Sequence, residues 1–215
     1  FKSALKSGSS RRLERLVADA RTGGLAPDAG DAARQVVQLI GAIGDHDRRT
    51  RGHSERVRLY ADLIGEELKL TKVERQKLQW GALLHDLGKR FVPPAVLTKN
   101  DRLTDEERDL IETHPIRGYA ELCEQGDLDF GQLMMVYQHH EHVDGTGYPV
   151  HVLKDEIHPW ARMLSIVNTF DILTAKRPHR HPATPESVLQ YQRQHAGTRF
   201  DGDYVECWIA AMTRA

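Results

Sequence analysis

The sequence predicts an all-α fold, and three observations carry that reading. Apolar residues recur at helical spacing along most of the chain, and no stretch alternates apolar and polar residues in the manner of a half-buried strand. Two capping boxes, Thr71-Lys72-Val73-Glu74 and Thr104-Asp105-Glu106-Glu107, mark helix starts. With 215 residues and 40% apolar content, the chain is long enough for one sizeable domain with an appendage.

Taken in order, Ser10 caps a first helix through about Arg21, which Gly23-Gly24 ends. The Ala, Pro, Asp and Gly of the next few residues read as a linker, so residues 1–30 form a helical connector and residues 31–215 the main domain. Helices are expected from about Asp31 to His46 and from about His53 to Leu68. In the second of these, Val57, Tyr60 and Ile64 share the face of His53 and turn it inward. The Thr71 box opens a helix whose Leu78, Ala82, His85 and Asp86 lie on one side, and the Thr104 box opens another that ends near His114, with Pro115 after it. Leu133 and Val136 stand seven and four residues before His140, so the His139-His140 pair leaves a helix on its apolar face. Leu164, Val167, Asn168 and Asp171 line one side of a last helix that starts near Pro159.

Composition excludes several classes. Thirty basic against 31 acidic side chains leave no general field to draw the protein onto DNA or an anionic membrane. Cys123 and Cys207 lack the spacing of a thiolate zinc site, and a reducing, cytoplasmic setting fits them. No apolar run is long enough to span a bilayer. The chain opens at Phe1, so it is expected to be part of something longer, with a sensor module upstream.

Twelve histidines are more than packing needs, and they cluster. The run His139-His140-Glu141-His142-Val143-Asp144-Gly145-Thr146-Gly147-Tyr148-Pro149 sets metal-ligand side chains directly before a glycine-rich turn. His85-Asp86-Leu87-Gly88-Lys89 adds an imidazole, a carboxylate able to bridge two cations, and a lysine suited to phosphate. His53 and His114 complete a set of five inward histidines and one aspartate, each from a helix end or face aimed at the same interior. A core of limited size cannot partner every one of those ring nitrogens, whereas two cations satisfy them together. The reading is a metal centre beside a phosphate-bearing ligand. His46, His142, His151, His158, His179, His181 and His195 stand in polar or loop contexts and are expected to be solvated.

These motifs resemble the HD-GYP family, a branch of the HD superfamily of metal-dependent phosphohydrolases. Matching elements run in order from Gly52-His53-Ser54 through His85-Asp86-Leu87-Gly88-Lys89, Thr113-His114-Pro115 and the His139 to Pro149 block. Phe170-Asp171-Ile172-Leu173-Thr174, Arg177-Pro178 and Gly197-Thr198-Arg199-Phe200-Asp201 follow. The resemblance implies an HD-domain helical bundle and cleavage of cyclic di-GMP to linear pGpG, and in some members to GMP. It implies one metal on His53, His85 and Asp86, with Asn168 at the position of a last ligand. A second metal shares Asp86 and adds His114, His139 and His140. Asp86 and Lys89 carry the catalysis that the resemblance implies. Lys89, Gly147, Tyr148, Arg177 and Arg180 are expected to contact substrate, with the Tyr148 ring offered to a guanine. Mixed imidazole and carboxylate donors suit iron, manganese, zinc or nickel more than magnesium or calcium, and the resemblance favours iron or manganese. The expected partners are cyclic di-GMP or a related cyclic dinucleotide, the upstream sensor module and a second copy in a homodimer. Neither DNA nor a membrane is expected to bind this segment.

Two departures bear on activity. Asn168 stands where family members carry a metal-binding aspartate, and Asp171 one turn on either compensates or pairs elsewhere. Arg49, one turn before His53, puts a cation where members with three metals carry a glutamate. The alternative to an enzyme is therefore a catalytically weak module that binds cyclic di-GMP and signals through residues 1–45. A generic HD hydrolase of nucleotides is a third reading, disfavoured by the His139 to Pro149 block.

Overall fold

The computed structural model describes residues 48–125, 128–176 and 181–214. The connector expected over 1–30, the helix expected over 31–46, His46, His179, Arg177 and Arg180 lie outside the described residues. Among the described residues the structure is helical: α1 (Arg48–Glu67), α2 (Lys72–Leu84), the short α3 (Pro94–Leu97), α4 (Asp105–Glu112), α5 (His114–Gln125), α6 (Phe130–Gln138), α7 (Pro159–Thr174), α8 (Pro185–Gln194) and α9 (Gly202–Arg214). Short 3-10 turns occupy Leu87–Phe91 and Lys154–Glu156. The all-α expectation stands: the described residues contain two isolated β-bridges and no sheet.

Local chemistry sets the helix ends. Both expected capping boxes form: the Thr71 hydroxyl accepts from Glu74 N while the Glu74 carboxylate accepts from Thr71 N, and Thr104 and Glu107 do the same. Each such cap contributes about 1 kcal/mol. Asp129 and Gln132 make a third box at α6. One boundary differs from expectation, because His114 opens α5 instead of leaving α4. Pro115 is tolerated in the first turn of a helix, where its missing N–H would have had no partner in any case.

The core lies where α1, α2, α6, α7 and α9 meet. Val57, Ile64, Leu78, Ala82, Met135, Leu164, Val167 and Phe170 are each at most 2% exposed, and Trp208 of α9 is fully buried against them. Tyr60, Phe170 and Trp208 meet edge to face with centroids 5.2–5.6 Å apart. Truncating a buried aromatic of this kind costs about 3–5 kcal/mol. α7 is buried along nearly its whole length, from Ala161 to Asp171, so it forms the central post. Gly88 lets α5 approach the 3-10 turn after α2: a Cβ there would lie 1.9 Å from the His114 carbonyl oxygen and 2.7 Å from Gly118 N. That contact sets His114 beside His85 and Asp86. Among the described residues no helix is long and apolar enough to cross a membrane. Both cysteines are free.

Candidate metal centre

Three of the histidines are aimed by the end of the helix that precedes them. His85 follows the last turn of α2 and donates from Nδ1 to the carbonyl of Ala82 at 2.8 Å. His114 donates to Ile111 at 2.7 Å, and His139 to Val136 at 2.9 Å. Each bond reaches three residues back. A carbonyl only accepts, so these bonds assign the proton to Nδ1 and leave a bare Nε2 lone pair facing inward on each ring.

Those lone pairs converge on Asp86, which is 1% exposed. Its Oδ2 lies 3.4 Å from His85 Nε2 and 3.7 Å from His53 Nε2. Its Oδ1 lies 3.4 Å from His114 Nε2 and 3.9 Å from His139 Nε2. One carboxylate oxygen thus faces each half of the site. His53, His85 and Asp86 form one set of donor atoms within 4.8 Å of one another, and Asp86, His114, His139 and His140 form a second.

The donor set fits cations. His114 Nε2 and His139 Nε2 are 3.2 Å apart, and with both protons committed to Nδ1 that contact sets lone pair against lone pair. Protonating a ring is opposed: burial pushes His85 down to about 4 and holds His139 and His140 well below the usual imidazole range. His85 Nε2, Asp86 Oδ1 and Asn168 Oδ1 are buried without a hydrogen-bond partner, and each such group costs about 1–3 kcal/mol. Burial works to raise the Asp86 carboxyl, but interactions with His85, Lys89 and His114 outweigh it and keep it ionised well below its ordinary value.

His53 is held differently. Its Nδ1–H donates to Asp171 Oδ2 at 2.7 Å, and Arg56 grips the same carboxylate from Nε at 2.5 Å and Nη2 at 2.8 Å. Burial raises the Asp171 pKa, but the bonds from His53 and Arg56 bring it below the usual value. Of the two alternatives left open for Asp171, the described geometry is pairing with His53 and Arg56. Asn168 lies one turn earlier on α7, on the same face as Asp171, and is 4% exposed. The side chain of Arg49 lies outside the described residues.

The loop after the histidine pair wraps the second donor set. Tyr148 N donates to the His140 carbonyl at 3.1 Å, and the Tyr148 ring stacks on His140 with centroids 4.6 Å apart and planes 16° apart. One ring face offered in expectation to a guanine is therefore occupied by His140. At Gly147 a Cβ would lie 2.3 Å from His142 N and 2.4 Å from the His140 carbonyl oxygen, so a close backbone approach requires glycine there. Gly145 has φ +80°, a conformation that favours glycine. Lys89 Nζ donates to Asp86 Oδ2 at 2.7 Å with its side chain 24% exposed, which puts a cation at the rim of the centre.

Two supports escaped the sequence reading. Glu141, 2% exposed, accepts from Val150 N at 2.6 Å and His151 N at 3.1 Å and ties the loop shut. Arg56 was given no role. A carboxylate between two histidines and an arginine one turn after His53 are visible in the chain, but their partners are remote or lie across a turn. Three histidines expected to be solvated also have partners: His142 bonds Thr146 Oγ1, His158 caps α7 by accepting from Trp160 N, and His195 donates to the Tyr191 carbonyl. Each is half-buried at a helix end or turn, where its ring nitrogen meets a group that needs a partner. His151 and His181 are exposed as expected.

A helical bundle that gathers five histidines around a buried aspartate defines a domain of the metal-site class. The family model described as HD domain matches residues 38–204. The chain belongs to the HD-domain family, in its HD-GYP branch. It is 34% identical over 174 residues to the cyclic di-GMP phosphodiesterase response regulator RpfG of Xanthomonas campestris, covering 80% of this chain and 46% of that protein. It is 37% identical over 177 residues to the 3'3'-cGAMP-specific phosphodiesterase 3 of Vibrio cholerae, covering 81% of this chain and 37% of that protein. The fold is similar to that of a HDG"Y"P protein from Bdellovibrio bacteriovorus, with a TM-score of 0.63 at 15% identity, covering 95% of this chain and 79% of that one. The chain spans less than half the length of the two curated relatives.

Proposed function

We propose that this domain, taken as residues 31–215, is a metal-dependent phosphodiesterase that hydrolyses cyclic di-GMP or a related cyclic dinucleotide to the linear dinucleotide, and on to the mononucleotide where a second cleavage follows. The observation that carries the reading is the split Asp86 carboxylate, one oxygen toward His53 and His85 and the other toward His114 and His139. His53, His85, Asp86 and Asn168 would hold one divalent cation, and Asp86, His114, His139 and His140 a second. Iron or manganese is the preferred pair member, with zinc or nickel compatible with the same donors. Bound there, the cations supply Lewis acidity toward water and the phosphodiester. The chain's own residues do the rest: the buried rings keep their proton on Nδ1 and present lone pairs, and Asp86 stays ionised. The exposed end of Lys89 meets a non-bridging phosphate oxygen, and Arg177 and Arg180 serve the same anion. The relatives' names support the substrate class. An upstream sensor module, a homodimer and a cytoplasmic setting complete the proposal.

A second reading is favoured by one observation. Asn168 presents a neutral oxygen where the resemblance places a carboxylate, so the first site attracts a cation less strongly, as in a domain that binds the nucleotide without turning it over quickly.

Metal analysis coupled to a cyclic di-GMP cleavage assay tests both readings. A protein carrying two metals per chain and releasing pGpG supports the enzyme. Lys89→Ala is expected to keep metal content and melting temperature while losing cleavage, and cleavage at the parental rate would return Lys89 to the role of a solvated side chain.

A further inference from the structure

Three donors from one helix fill the carboxylate of Asp171. Its Oδ2 accepts from His53 Nδ1 at 2.7 Å and from Arg56 Nη2 at 2.8 Å, and its Oδ1 accepts from Arg56 Nε at 2.5 Å. His53 and Arg56 stand three residues apart on α1 and so share a side of that helix. The guanidinium lies back along α1: a Cβ at Gly52, the residue before His53, would be 3.5 Å from Arg56 Nη1. The Asp171 side chain is 2% exposed against 45% for Arg56, so the carboxylate has little water to exchange for either partner.

The clamp is not what joins the two helices. Val57 and Ile64 of α1 and Leu164, Val167 and Phe170 of α7 already meet in the apolar core. A guanidinium that meets a carboxylate through two parallel bonds fixes the plane of that carboxylate, which a point contact does not. Held by His53 alone, the Asp171 carboxylate would be free to turn about its last bond and carry the His53 ring with it. Asn168, one turn earlier on α7, has no such clamp, and its buried Oδ1 has no hydrogen-bond partner.

We propose that Arg56 is a positioning residue for the first cation: it fixes the plane of Asp171, and Asp171 in turn holds the His53 ring with Nε2 toward Asp86, 3.7 Å away. The assignment rests on the metal reading above. Arg56 itself touches neither the cation nor the substrate, and it acts only through the orientation of one ligand.

The test has two arms. In metal-free protein, proton NMR reads the His53 Nδ1–H, which a 2.7 Å bond to a carboxylate shifts downfield and protects from exchange, and His53→Ala assigns the signal. Arg56→Ala should lose that signal, and Arg56→Lys should restore part of it. In the second arm, manganese is titrated into the same proteins and the two sites are followed as separate steps. Arg56→Ala should weaken the first step by about tenfold and leave the second unchanged, with Arg56→Lys between it and the parent. Arg56→Ala combined with Asp171→Asn should bind no more weakly than Asp171→Asn alone, because both changes break one chain of contacts. An unaltered imidazole signal, equal weakening of both steps, or additive losses in the double variant overturns the assignment. A tighter first step in Arg56→Ala overturns it too, by showing that the arginine only repels the cation. If both arms respond as expected while the parent cleaves no cyclic di-GMP, the positioning role stands and the phosphodiesterase reading falls. If the parent cleaves cyclic di-GMP and neither arm responds to Arg56, the reverse holds.

Discussion

The two donor sets around Asp86 are built on different principles. In the deeper set His114 and His139 are fixed by backbone: each Nδ1–H closes onto a carbonyl three residues earlier, so the ring orientation is a property of the helix end. His85, which serves the other set, is fixed the same way. His53 instead depends on the side chain of Asp171, over a hundred positions away, and Asp171 depends in turn on Arg56. His114 and His139 are at 0–1% exposure while the His53 side chain is 12% exposed, and each set has one half-buried member, His140 in one and His53 in the other. Backbone-held ligands are rigid and tolerate distant substitution, whereas a ligand held by a carboxylate inherits every change to that carboxylate. Asn168, on the same face of α7 as Asp171, is proposed for the set that is already the softer one.

The largest effect should come from the residue common to both sets. Asp86→Ala removes the oxygen that each set requires, and elemental analysis should find neither metal. A full complement in that variant would show that Asp86 does not bridge.

Acid should next expose the burial that the two sets share. With metal chelated, His85 is depressed from 6.5 to about 4 by burial, so between those values the unfolded chain binds a proton that the folded one refuses. Stability from this residue is fully present above pH 6.5 and is lost as pH falls toward 4, by about 3 kcal/mol. His139 and His140 act in the same direction. Thermal melts of chelated protein across that window should show a steep decline. A flat profile would mean that these rings are not held neutral by burial.

A smaller and more selective loss is expected from Asp171→Asn, which keeps the shape but weakens the acceptor for His53 and the partner of Arg56. Affinity at the first site should fall by about tenfold to a hundredfold while the second stays filled, read by metal titration with two resolved steps. Equal weakening of both steps would erase the contrast between backbone-held and side-chain-held ligands.

The smallest effect is a gain. Asn168→Asp restores a charge at the first site and should raise its occupancy severalfold, and with it cleavage if the domain is an enzyme. Filled metal without hydrolysis would favour the binding module, and a parent that is already full and brisk would mean that the amide oxygen suffices.

Much of this was readable in the chain because it is local. Capping boxes need only four consecutive residues, and helical period follows from spacing alone, so the Thr71 and Thr104 starts and the apolar face of α1 were legible. The candidate donors were legible as residue types too, since five histidines and an aspartate stand in dense short motifs. What pairs across the fold was not. Nothing local tells Asp171 to choose His53 and Arg56, Glu141 to hold Val150 and His151, or Gly88 to admit the His114 backbone, because those choices follow from which helices pack together. The sequence by itself determined the helices and the chemistry available at their ends. Only the tertiary structure decided which Asp86 oxygen faces which histidines, and that the Tyr148 ring stacks on His140, because a distance between residues that no local pattern links is set by packing and not by their types.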